Sequence, residues 1–223
     1  VANLPWLWEK WAKWWQRAGC SGSHACADIF NKIVLAYTEA HRSYHTLDHL
    51  EHCIQELRWF ENASGKPVSV ELELAVWRHD EVYAPGAPST ANEYGSGERI
   101  TADSRRIPPL LAERARRLIY FTADHVAAPA DDEDALLLCD IDLSIIGRDL
   151  GSYLKYADQI RMEYGFVDED TYVAGRLAVL RRFQPHPFRT KLFVLRYGLQ
   201  AANNLLFEID LLERRAQHPA RLG

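Results

Sequence analysis

The chain has 223 residues, 48% hydrophobic and 26% charged, with 12 Gly, 10 Pro and a formal net charge of −5. A chain of this length buries roughly 70–75% of its unfolded surface, so it needs neither disulfides nor a structural metal merely to fold. The acidic balance argues against a stable nucleic-acid complex, which usually shows a basic excess, while leaving room for a small phosphorylated ligand in a local pocket.

The N-terminus carries Trp6, Trp8, Trp11, Trp14 and Trp15, interrupted by Glu9, Lys10 and Lys13. Such a pattern suits a helix over 1–20 that packs on the domain or on a partner subunit, rather than a leader peptide. Helical periodicity then recurs near 25–40, 46–62, 69–79, 108–122, 133–146, 150–165, 169–183 and 190–215. Pro108 and Pro109 stand where a helix begins. The acidic run Asp131–Asp134 is placed to favour the start of the next helix. Between Tyr83 and Ser96 the chain is rich in Pro, Gly, Ser and Asn and reads as a long functional loop. Alternating strand patterns are nearly absent, and no composition shift marks a linker. The expected fold is therefore all-α, a single helical domain over 1–223. No apolar run reaches eighteen residues, so no membrane span is expected. Cys20, Cys26, Cys53 and Cys139 are scattered without a CxxC pair, which reads as reduced structural thiols in a cytoplasmic protein.

Three clusters could ligate a metal. Tyr44-His45 and His49 place two histidines four residues apart, hence on one helical face. His79-Asp80 ends an apolar helix just before the long loop. Asp140 and Asp142 interrupt the apolar stretch LLLCDIDLSII, where a carboxylate is costly unless it is paired or binds a cation. Each alone has a plainer reading: a core histidine, a helix cap, a buried ion pair. Imidazoles plus carboxylates suit Mn, Mg, Fe, Co, Ni or Zn, and the lack of paired cysteines argues against a closed structural zinc site.

Taken in order, these clusters resemble the HD superfamily of metal-dependent phosphohydrolases. Arg42-x-Tyr44-His45 with His49 is similar to the histidine signature of cyclic-nucleotide phosphodiesterases, as is Asp142-Leu143-Ser144. A bacterial group of predicted HD phosphohydrolases is closer. To it correspond His79-Asp80-x-x-Tyr83, Asn92-Glu93, Thr122-x-x-His125, Asp140-x-Asp142-Leu143 and Ile160-Arg161-x-Glu163-Tyr164. The likeness runs from about residue 5 to 215; Gly97 stands after Ser96 where that group has Ala. The resemblance implies an HD-type helical bundle with His49, His79, Asp80 and Asp142 as ligands of a divalent metal ion. It implies His45 as the acid that protonates the leaving group and Glu93 as a residue that orients water or a second metal. Arg42, Tyr83, His125 and Arg161 are the candidate substrate contacts, the arginines as phosphate clamps or as packing ion pairs, and His125 as a phosphate contact or an extra metal ligand. The implied activity is hydrolysis of a phosphate ester or anhydride in a small metabolite or nucleotide. The alternatives are an HD-fold di-iron oxygenase and a metal-containing regulator without turnover. A homodimer is an open partner.

Overall fold

A computed structural model describes residues 1–88, 90–184 and 186–217. It is all-helical, with ten α-helices and two short 3-10 segments among the described residues. The chain groups into two compact units, Val1–Asp142 and Leu143–Gly223.

The first unit holds α1 (Leu4–Arg17), α2 (Ser23–Ala36), α3 (Leu47–Ser64), α4 (Val70–Arg78), α5 (Ala91–Ala102), α6 (Pro109–Tyr120) and α7 (Glu133–Asp142). The Trp-rich segment packs on its own unit. Trp11 and Trp14 are buried and lie against each other at 4.7 Å between ring centroids, and Trp11 meets Trp77 of α4 edge-on at 5.4 Å. Both indole N–H groups find carbonyls, Trp11 on Cys26 and Trp14 on Val70, which is what permits their burial. α4 is the central element; Leu72, Leu74, Ala75, Val76 and Trp77 are all fully buried. Ser69 caps its N-terminus by accepting from the Leu72 amide.

α5 corrects the sequence reading, which has a loop to Ser96. Its Gly95 and Gly97 allow close approach: a Cβ at Gly95 would lie 2.9 Å from Val82, and one at Gly97 2.6 Å from the Tyr120 ring. Asn92 bonds both backbone groups of Ala84, and Ser96 bonds both of Val82, so α5 clamps the chain just after the His-Asp pair.

The second unit holds α8 (Leu150–Glu163), α9 (Glu169–Phe183) and α10 (Lys191–Gln217). Its interior contains a charged pair, Arg176 and Glu208, together with Tyr153 and Tyr156. Among the described residues no helix is long and apolar enough to cross a membrane. The four cysteines are free thiols.

Candidate metal centre

Three helices of the first unit deliver the donors. His49 lies in the first turn of α3, His79 and Asp80 follow the last turn of α4, and Asp142 is the last residue of α7. His45 is not on α3. Thr46 is the N-cap with extended backbone, so Tyr44 and His45 sit in the preceding turn, and that turn brings the His45 and His49 rings to 5.7 Å.

The four predicted ligands converge. His49 Nε2 is 3.1 Å from His79 Nε2, 3.3 Å from Asp80 Oδ2 and 3.3 Å from Asp142 Oδ1. His79 Nε2 is 3.2 Å from Asp80 Oδ2 and 3.5 Å from Asp142 Oδ1. Donors about 2.1 Å from a common centre lie about 3.0 Å apart in an octahedron and about 3.4 Å apart in a tetrahedron. The observed separations, 3.1–3.5 Å, lie close to those values.

The tautomer of His79 is fixed by its surroundings. Nδ1 faces the Val76 carbonyl at 2.9 Å and must carry the proton there, leaving the Nε2 lone pair toward His49. Asp80 Oδ2 is buried without a hydrogen bond of its own. Lone pairs facing one another in a buried site need a positive centre among them.

The four groups also perturb one another's titration. Burial alone would lower the His49 imidazole, but Cys53, Tyr44, Asp142 and Asp80 outweigh it and hold it well above the ordinary value. His79 is likewise pushed down by burial and raised well above its usual value by Asp80, Tyr37 and Asp142. Burial would raise both carboxylates; the histidines reverse this and hold Asp80 and Asp142 well below the carboxylate range.

Cys53, read from sequence as a structural thiol, belongs here as well. His49, Cys53, His79 and Asp142 form a buried group able to hold a metal ion, one donor atom from each lying within 4.8 Å of the others. The signal was its position, four residues after His49 on α3. Its sulfur is 3.7 Å from His49 Nε2 and 3.8 Å from Nδ1. A sulfur so nearly equidistant from both ring nitrogens lies off the Nε2 lone-pair axis, so in this rotamer the thiol flanks the ring and Asp80 is the better fourth donor.

The remaining candidates separate. His45 stacks on Tyr83, with ring centroids 4.0 Å apart, and meets Tyr44 edge-on at 5.0 Å. His125 bonds Asp142 Oδ2 at 2.7 Å, which leaves Oδ1 to the histidines; it orients that carboxylate, where an extra ligand or a phosphate contact was expected. Arg42 corrects the phosphate-clamp reading. Its buried guanidinium donates to the carbonyls of His45, Asp80 and Glu81 and to the Glu39 carboxylate, tying the His45 turn to the His79-Asp80 turn. Arg161 is corrected in the same way, because it donates to the carbonyls of Tyr164 and Val167 and to Glu169 within the second unit. Glu93 lies half-buried in the first turn of α5 and is not among the converging donors.

No family model, no curated protein and no solved structure matches this chain.

Proposed function

We propose that the chain is a metal-dependent phosphohydrolase of the HD type, working in the cytoplasm on an ester or anhydride of a small phosphorylated metabolite or nucleotide. The observation that carries this reading is the pair of imidazoles, His49 and His79, 3.1 Å apart at Nε2, each 3.2–3.5 Å from a carboxylate oxygen of Asp80 and of Asp142. A divalent ion held there would supply positive charge to the phosphoryl oxygens and lower the pKa of water.

The surrounding residues do the rest. His45, held between Tyr44 and Tyr83, delivers a proton to the leaving oxygen. Arg42 holds the carbonyl of His45 and those of Asp80 and Glu81, so acid and ligands keep one geometry. His125 fixes which Asp142 oxygen faces the histidines.

The test is turnover of phosphomonoesters and phosphodiesters by protein reconstituted with Mn or Mg, with and without chelator. Chelator-sensitive turnover is expected. Oxygen uptake by the iron-loaded protein would favour an oxygenase, and stoichiometric metal without turnover a regulator. His45→Ala should cost on the order of 10²–10⁴ in rate with metal retained. The loss should be large for alkoxide leaving groups and small for nitrophenol esters, which need no proton.

A further inference from the structure

α10 is apolar on two opposite sides. One side packs within the second unit through Phe193, Tyr197, Ala201, Asn204, Leu205 and Glu208. The other carries Leu192, Leu195, Leu199, Ala202 and Leu206, at steps of three and four residues. Leu195 is 72% exposed, Leu199 81% and Leu206 50%, with Leu192 and Ala202 half-exposed between them. A helix with apolar residues on both sides is ordinarily covered on both, and this spacing is the seam of a two-helix coil. Val194 and Phe207 are exposed elsewhere on α10, while Leu35, Leu110 and Met162 fall on other helices.

From this stripe we infer that the chain self-associates through α10, which pairs antiparallel with α10 of a second copy. Charge selects both the partner and its direction. In a parallel pair, Lys191 of one copy would flank the seam opposite Arg196 of the other, and these like charges repel. Reversing one helix sets Leu195 against Leu206, Leu199 against Ala202, and Arg196 against Asp210 of the second copy. Arg196 already lies over Tyr197 and Asp210 already pairs with Arg214, so the cross-pair adds to contacts each residue makes within its own chain. Pairing from Leu192 to Leu206 spans about 20 Å of helix. It covers on the order of 500 Å² per copy, about 1,000 Å² in all, the size of a weak, reversible interface.

Sedimentation equilibrium of the full chain over a concentration series tests this. A dimer is expected. Leu199→Glu should raise its dissociation constant on the order of 100-fold while leaving helical content, and the melting temperature at concentrations where both proteins are monomeric, unchanged, since the residue is exposed. Arg196→Asp alone and Asp210→Arg alone should each weaken the dimer several-fold, and the double swap should restore it. A monomeric wild type overturns the proposal, as does a dimer indifferent to Leu199→Glu. A dimer broken by Leu199→Glu yet not restored by the double swap overturns the antiparallel register.

Discussion

The two units bury charge in opposite ways. In the second, Arg176 donates to both oxygens of Glu208 at 2.8 and 3.1 Å and to the Tyr156 hydroxyl at 3.2 Å, and the Tyr153 hydroxyl donates to the same carboxylate. The cation is built into the chain, and each of these acceptors meets a donor. In the first, four acceptors on three helices meet one another, and one carboxylate oxygen has no hydrogen bond. Such a set could take a cation from solution. Burial and residue type alone therefore do not separate a structural network from a ligand site; whether the donors balance the acceptors does.

Removing one group from each region should break the two differently. The largest effect belongs to Asp80→Ala and Asp142→Ala, which should lose stoichiometric metal and with it all chelator-sensitive turnover. Elemental analysis of the folded variants reads this directly, and full metal content in either would sink the assignment. Next is Arg176→Met. It strands Glu208 without its cation and should cost about 3–5 kcal/mol in urea unfolding, with metal per folded chain unchanged. The reverse pattern, stability kept and metal lost, would erase the distinction between the regions. His125→Ala should be milder: metal still binds, but about 10–100-fold more weakly in a competition titration, because Asp142 loses the partner that orients it. Unchanged affinity would leave His125 without a positioning role.

Much of the first region is legible in the sequence because its donors follow or interrupt apolar helical runs, where carboxylates are costly. The set His49, His79, Asp80 and Asp142 comes from the likeness to the HD pattern, and the structure brings these four side chains together. Arg42 and Arg161 are not legible in this way. A guanidinium looks the same in sequence whether its acceptors are phosphate oxygens or turn carbonyls, and here they are carbonyls. α5 escapes for a related reason: Gly95 reads as a loop residue, but the structure uses it and Gly97 for contact with Val82 and Tyr120. His45 falls outside the helix because Thr46, one residue later, is the N-cap. In the second unit, Arg176 and Glu208 are 32 residues apart with nothing local to join them. Their pairing is a tertiary fact.

The smallest effect sharpens the comparison through pH. Tyr153 is fully buried, and burial first, then the neighbouring Glu208 carboxylate, pushes its hydroxyl far above the ordinary value. A group whose pKa is raised on folding contributes its stability fully below the unfolded value of about 10 and loses it as pH rises toward the folded value. Above that point the unfolded chain releases the proton and the folded chain does not. Tyr153→Phe removes both the titration and one hydrogen bond to Glu208. At neutral pH the variant should therefore be less stable by about 1 kcal/mol. Above pH of about 10 the wild type alone carries this proton's linkage, up to about 1.4 kcal/mol per pH unit, so the two stabilities should converge and cross near pH of about 11. Urea unfolding of both proteins from neutral to strongly alkaline pH measures the difference. Parallel curves would mean that Tyr153 ionises in the folded protein as readily as in water, and that the second region is as open as the first.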